Sequence, residues 1–242
     1  MKLSIPADLI TINCNKVEEG KKALEYSSRE IDFKNIYFFS DQDIKGNFEH
    51  IKIGSIRGVS EYNNFILGIE KYITSEHVLV IQDDGHVLNP KHWTDEFLKY
   101  DYIGAPWPND EKWNKRWDKY GKNISEKIRK HAPFNRVGNG GFSLRSTNFL
   151  KYSNLFSNTG VLAEDIFLTL YNYDKAQEFG IKFPDLDLAL KFSYETALKG
   201  KELRKEYKNQ KLNLDNHFGW HGKKFQNTEE IMKIKNTKSE NN

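Results

Sequence analysis

Only one cysteine, Cys14, stands among the 242 residues. An intramolecular disulfide and a thiolate zinc site are therefore excluded, and a reducing compartment is the natural home. Long apolar runs are missing too; none approaches the roughly 20 residues that cross a bilayer. The opening MKLSIPADLITINC has a short apolar stretch broken by Pro6 and Asp8, which is not the pattern of a secretory signal, so a cytoplasmic location is expected. An excess of one charge is also lacking, since 37 Lys and Arg against 34 Asp and Glu leave only +3. With acids interspersed and no RNA- or DNA-binding sequence pattern, no nucleic-acid partner is expected. Aromatic side chains, by contrast, are plentiful at 14%, which a disordered chain would not carry.

Two periodicities alternate through the first half. Asp8 to Cys14 (DLITINC) is apolar and β-branched and predicts a buried strand. Good helix formers from Glu18 to Glu30 predict a helix, followed by strands over Asn35–Phe39 and Ile51–Ile53. After Ser60, the residues Tyr62, Phe65, Ile66, Ile69, Tyr72 and Ile73 recur at helical offsets, with Ser60 and Asn63 suited to the start. His77–Gln82 (HVLVIQ) is the next strand. This alternation predicts an α/β fold with a mixed, mainly parallel central sheet flanked by helices, in a single domain. The second half is less regular. It offers a short helix over Trp93–Tyr100, a short strand over Tyr102–Ala105, and a helix over Ala163–Phe179 stopped by Gly180. Asn109–Arg136 is basic and lacks sustained periodicity, which predicts a long functional loop. Residues 223–242 read as a polar, fraying tail.

Five local patterns could carry chemistry. Asp83-Asp84-Gly85-His86 ends an apolar strand, where ligands of open parallel sheets bind. Mg²⁺ and Mn²⁺ take oxygen ligands, often one or two carboxylates plus substrate phosphates. If the strand continues, only one of the two aspartates can face the crevice, and Asp84 is the choice; the plain alternative is a turn. Gly138-Asn139-Gly140-Gly141 has neither Walker nor dinucleotide-binding spacing; it lets backbone approach a ligand, or simply turns. Glu164-Asp165 opens a helix, as a general base or as a complement to the helix dipole. His217 and His221 in HFGWHG read as loop histidines that could close a metal or phosphate site, or as surface residues. Trp107, in Ala105-Pro106-Trp107-Pro108, could stack on a sugar or plug the core rim.

Taken in order, HVLVIQDDGHVLNPKHW, FLKYDYIGAPWP, VGNGGFSLRS, AEDIF and FGWHG resemble the DUF5672 family, which is similar to nucleotide-sugar-dependent glycosyltransferases of the GT-A fold. The resemblance runs from about Tyr62 to Gly222. It implies one GT-A-like domain over 1–222, with a nucleotide-binding half (1–105) and an acceptor and catalytic half (106–222). It also implies transfer of a hexosyl group from a UDP- or GDP-sugar to a hydroxyl of a glycan or other acceptor, with inversion, as in polysaccharide biosynthesis. By position, Asp84 and His221, helped by His86, would hold a divalent cation (Mn²⁺ or Mg²⁺). Asp165, with Glu164 beside it, would deprotonate the acceptor. Thr11, Asn13, Ser40, Asp41, Asp83, Gly140 and Gly141 would bind the donor, and Trp107 the acceptor. A full Asp-x-Asp is absent, because Gln82 stands two before Asp84. Two other readings stay open: a nucleotidyltransferase acting on phosphate esters, which would need a second metal or a catalytic lysine, and a glycan-binding module using Trp107 and the 109–136 stretch.

Overall fold

Chain segments rich in β-branched and aromatic residues pair as the alternation predicts. The structure, a computed structural model, describes residues 2–196, 216–222 and 233. Strands β1 (Leu3–Ile5) and β2 (Asp8–Ile12) precede helix α1 (Val17–Ser28). Then come β3 (Ile31–Phe33), β4 (Ile36–Ser40), β5 (Glu49–Lys52) and α2 (Val59–Leu67). Strands β6 (His77–Ile81), β7 (Gly85–Val87) and β8 (Tyr102–Gly104) follow, then the short helix α3 (Glu111–Asn114) and α4 (Lys122–His131). The remainder is β9 (Phe142–Ser146), α5 (Thr147–Ser153), α6 (Glu164–Ile166), α7 (Tyr173–Glu178), α8 (Leu186–Phe192), β10 (Ser193–Tyr194) and β11 (Gly219–His221). The expected tail after Lys223 lies outside the described residues except for Lys233.

Six strands form one sheet in the order β5-β4-β2-β6-β9-β8. The first four are mutually parallel, while β9 runs antiparallel to both β6 and β8. The α/β expectation therefore holds, with β9 alone running against the other five strands of this sheet. Period-2 alternation splits the sheet's side chains between two cores. Leu9, Leu79, Ile81 and Leu144 pack with Ala23 and Leu24 of α1 and Phe192 of α8. Ile10, Ile12, Val78 and Val80 pack on the other face with Ile66 of α2 and with Ile69. The result is a three-layer sandwich, and each fully buried Leu or Ile stabilises it by about 1.5–3 kcal/mol.

Three expectations need correction. The helix after Ser60 starts earlier, on Gly58, and breaks at Gly68 into a 3₁₀ turn over Ile69–Tyr72; Asn63 does not cap it but reaches Thr159 and the Leu162 carbonyl. Asn109–Arg136 is not a loop. Asp110 caps α3 by accepting from the Trp113 N–H, a 3₁₀ turn spans Lys115–Tyr120, and α4 follows. Trp117 and Ile128 anchor this helical stretch in a core with Trp107, Leu162 and Leu170. Finally, Gly219–His221 is a strand pairing antiparallel with β7 and parallel with β10. The helix expected over Ala163–Phe179 is present, but its middle, Phe167–Tyr171, is a π-helical turn; Gly180 ends it at φ +80°.

Asp8 shows how the sheet's lower end is tied down. It is fully buried and accepts from Asn35 Nδ2 (2.8 Å), Thr74 N (2.9 Å), Ser75 N (3.1 Å) and Ser75 Oγ (2.7 Å). Asp8→Ala strands these donors and should lower unfolding stability by about 3 kcal/mol. Urea titration checks this, and a loss under about 1 kcal/mol would show the network to be dispensable.

Candidate active site

Chain order dictates where an open sheet gapes. From β2 the chain moves outward to β4 on one side, while β6 lies on the other, so the carboxyl ends of β2 and β6 flank a topological switch point. A cleft of about 500 Å³ opens there. Asn13 to Lys16 line it from the end of β2, Gln82 and Asp83 from the end of β6, Asn139 to Gly141 from the run before β9, and Ala163 to Asp165 from the start of α6. His221 closes it from β11. Asp165, His221, Asp83, Asn13, Gly140 and Gly141, read from distant parts of the sequence, thus line one cleft.

The strand before Asp83 stops at Ile81, and the Gly85 N–H bonds the Gln82 carbonyl (2.9 Å) to make a tight turn. Alternation across a strand therefore does not separate the two aspartates. Asp83 accepts a salt bridge from Lys16 Nζ (2.8 Å), which raises the Lys16 ammonium above its usual range. Asp84 turns to His221, with Oδ1 3.1 Å from Nε2, and Glu195 Oε1 lies 3.7 Å from the other ring nitrogen. Burial opposes charge on His221, but hydrogen bonding to Asp84 and then Glu195 outweighs it and pushes the imidazole up to about 10. Burial likewise opposes the Asp84 carboxylate, and the His221 contact overturns it and holds that group low.

Fit to a divalent cation can be tested on this pair. Two ligand atoms about 2.1 Å from an octahedral ion and at right angles are about 3 Å apart, which is the Asp84–His221 spacing. Among the described residues no group of three His, Cys, Asp or Glu side chains could hold a metal ion. As the pair stands, the Nε2 proton bridges the imidazole to Asp84, so the protein offers one carboxylate donor, and His221 could join it only by giving up that proton as the ion binds.

The glycines are dictated by proximity. A Cβ on Gly141 would overlap the His221 imidazole, and one on Gly140 would lie 2.7 Å from Glu164 Oε1. The Gly140 N–H donates to Asp165 Oδ2 (3.0 Å) and the Ile166 N–H to Oδ1 (2.7 Å). Burial among protein atoms pushes the Asp165 carboxyl up to about 7, the adjacent Glu164 charge adds to this, and those two N–H groups pull the other way. Glu164 itself is gripped by Arg145, with 2.8 Å between Nη2 and Oε1 and 3.3 Å between Nη1 and Oε2. Tyr62, on the wall above, is pushed up to about 12 by burial and by the Glu164 charge.

Residues 45–217 match the family described as protein of unknown function (DUF5672). The chain belongs to this family. No curated protein matches this DUF5672 member. Among solved structures it is similar to mannosyltransferase PcManGT from Pyrobaculum calidifontis in complex with GDP-Man and Mn²⁺, at 11% identity over 75% of this chain and 55% of that one, TM-score 0.42. An active-site mutant of LgtC shares 13% identity over 95% of both chains, TM-score 0.49. The bifunctional IspDF from Campylobacter jejuni shares 15% over 69% of this chain and 47% of that one, TM-score 0.42. The DUF5672 chain thus spans about half the length of the first and third.

Several expected site residues of the DUF5672 protein lie elsewhere. Thr11 is fully buried inside β2, because the strand runs on to Ile12 and the cleft begins only at Ile12 and Asn13. Ser40 is buried at the end of β4, where its hydroxyl accepts from the Gln42 N–H (3.1 Å). Asp41 does not line the cleft itself; it binds Arg57, which does, at 2.6 Å. His86 is fully buried and packs edge-on against Tyr26. It pairs across from Trp220, one residue out of phase with the Gly85–His221 pair, and so faces away from the cleft; burial pushes it down to about 4. His217 is buried against the Leu190 carbonyl. Trp107 is 6% exposed and packs edge-on against Trp117 beneath the helical stretch, so it plugs the core rim and offers no face to a sugar. Sequence reasoning passed over Lys16, Arg57, Tyr62, Arg145 and Glu195. Only Arg145 carried a signal, a lone charge in a strand buried at every position, which must find a partner.

Proposed function

We propose that this chain is a GT-A-like glycosyltransferase, moving a hexosyl group from a UDP- or GDP-sugar to a hydroxyl of a glycan or other acceptor, with inversion and dependent on a divalent cation. The observation that supports this best is one cleft lined together by Asp165, by the Gly140-Gly141 backbone and by His221, whose Nε2 is paired with Asp84 behind it at 3.1 Å. Asp84 and His221 would hold the cation, with Glu195 steadying the imidazole. A bound Mn²⁺ or Mg²⁺ supplies Lewis-acid stabilisation of the leaving diphosphate. Gly140 and Gly141 would line the donor-sugar pocket, their missing side chains making room for Glu164 and His221 behind them. Asp165 takes the acceptor's proton as the hydroxyl oxygen bonds to the anomeric carbon and the bond to the diphosphate oxygen breaks with its electron pair. A base held near neutrality is matched to that task. Of the other carboxylates that line the cleft among the described residues, Glu164 is engaged by Arg145 and Asp83 by Lys16, which favours inversion.

A second reading draws on Lys16, whose ammonium lines the same cleft. A nucleotidyltransferase would use such a cation on a triphosphate and release inorganic pyrophosphate. The glycan-binding reading loses its aromatic platform, because Trp107 is buried.

The test is a thermal-shift panel of UDP- and GDP-sugars with and without Mn²⁺. Ligand at about 100-fold its dissociation constant adds about 2.7 kcal/mol, or roughly 5–10 °C for a chain of this size. Stabilisation by one nucleotide-sugar, erased by EDTA and by Asp84→Asn, is expected. A panel in which no nucleotide-sugar shifts Tm would sink the reading, and pyrophosphate release from a nucleoside triphosphate would move it to the second.

A further inference from the structure

The two carboxylates that open α6 stand in opposite circumstances. Asp165 lines the cleft, and among the described residues only backbone N–H groups, those of Gly140 and Ile166, bond its oxygens. Glu164 is 3% exposed, and both its oxygens are taken by the two terminal nitrogens of a guanidinium that is itself 1% exposed. Arg145 does more than neutralise a charge. Its Nε donates to Ser143 Oγ (2.9 Å), Nη2 reaches the Gly140 carbonyl (3.4 Å), and the guanidinium lies 5.3 Å from the Tyr102 ring centre. Gly140 is therefore held on both sides of one residue, its carbonyl to Arg145 and its N–H to Asp165. The backbone N–H of Glu164 is held in turn by Asn63 Oδ1 (3.2 Å).

We propose that Arg145 and Glu164 form a positioning pair: through Glu164 and the Gly140 carbonyl, Arg145 fixes where Asp165 points and offsets the charge beside it, and Glu164 takes no proton from the acceptor. The inference rests on the reading of Asp165 as the base and deepens it. Forked Arg–carboxylate geometry is the reason the pair can position, since two parallel bonds fix a plane where one would leave a swivel. Breaking such a pair leaves a buried charge unmatched, whereas replacing both members by apolar groups can preserve the fold. The groups around Asp165 are Glu164 on its own helix, Arg145 from β9, Tyr62 from α2, Tyr102 from β8, Glu195 after β10 and His221 from β11.

The direct test needs no substrate. Carboxyl ¹³C titration by NMR, with the Asp165 resonance assigned by its loss in Asp165→Asn, follows the base in each variant. Glu164→Gln removes the neighbouring charge and should move the Asp165 midpoint down by about one pH unit or more. A midpoint that stays put in the folded variant would overturn the proposal. If Glu164→Gln does not fold, the double replacement Arg145→Met with Glu164→Leu serves, and its Asp165 carboxyl should lose its fixed chemical-shift environment. Once the nucleotide-sugar panel identifies a donor, Glu164→Gln should keep measurable kcat with the acid limb of its pH profile moved down. The apolar double variant should keep donor KM while kcat falls on the order of tenfold or more. Glu164→Gln as inactive as Asp165→Asn at every pH would make Glu164 the base and refute the pair's assigned role. Failure of every nucleotide-sugar to bind would strike the proposed function, while the titration shift would still judge the pair.

Discussion

Asp165→Asn should leave a folded protein that binds donor and transfers nothing. A positioned general base contributes typically 10²–10⁴-fold, so turnover should fall by about a thousandfold with donor affinity unchanged. The same substitution should also stabilise the chain, and here the sign is informative. In the folded state the carboxyl titrates near 7, whereas an unfolded aspartate titrates near about 4. Its ionisation therefore opposes folding. The contribution it makes to stability is complete below about pH 4 and is lost as pH rises through about 7. Wild-type Tm should thus decline across that window by more than the Asn variant's does, and at pH 8 the variant should be the more stable of the two. Parallel thermal melts from pH 5 to pH 8 check this, together with initial rates at saturating donor. Identical pH slopes for the two proteins, or turnover within tenfold of wild type, would take Asp165 out of its role.

Gly141→Ala should have the second largest effect, through a side chain far away in sequence. The added methyl falls on the His221 ring. Retreat of the backbone is blocked, because the Gly141 carbonyl accepts the Gln82 N–H (2.9 Å) and so ties the end of β6 to the run before β9. His221 must leave its place beside Asp84. Overpacking of this kind costs typically 1–3 kcal/mol, and the Mn²⁺-dependent rise in Tm should vanish with it. A companion variant separates the two effects: Gly141→Ala combined with His221→Ala should regain the stability while the Mn²⁺ response stays lost. If Gly141→Ala keeps both its Tm and its Mn²⁺ response, the imidazole is not held where the structure has it.

How far the chain could be read beforehand depended on element length. β2, β4 and β6 are five residues each, enough to display a period, and the mainly parallel character of the sheet was legible from them. β7, β10 and β11 are two or three residues long. No periodicity fits in such a span, so the ribbon that presents His221 showed only as a cluster of aromatics and glycines. In the 109–136 stretch the apolar spacing of four, Trp113 to Trp117 and Ile124 to Ile128, was obscured by the lysines around it. The candidate site divides the same way. Asp84, Asp165, Gly141 and His221 stand in ordered motifs and could be named. Thr11 and Ser40 were misassigned because the cleft begins beyond the residues that carry the strand pattern. Glu195 and Lys16 meet their partners only through tertiary structure, and nothing near them in sequence announces it.

The π-helical turn at Phe167–Tyr171 has a mechanical consequence. A wide turn leaves carbonyls without their usual intrahelical donors, and here three successive ones are claimed by side chains from elsewhere. The Leu168 carbonyl accepts from the Tyr152 hydroxyl (3.1 Å), that of Thr169 from Asn135 Nδ2 (3.0 Å), and that of Leu170 from the His131 ring (2.7 Å). Two of these three donors belong to the helical stretch that ends at Arg136. That stretch and the helix bearing Asp165 are therefore bolted together through backbone oxygen atoms, so a displacement of α4 by an approaching molecule would be transmitted along a rigid strut to the carboxylate at its far end.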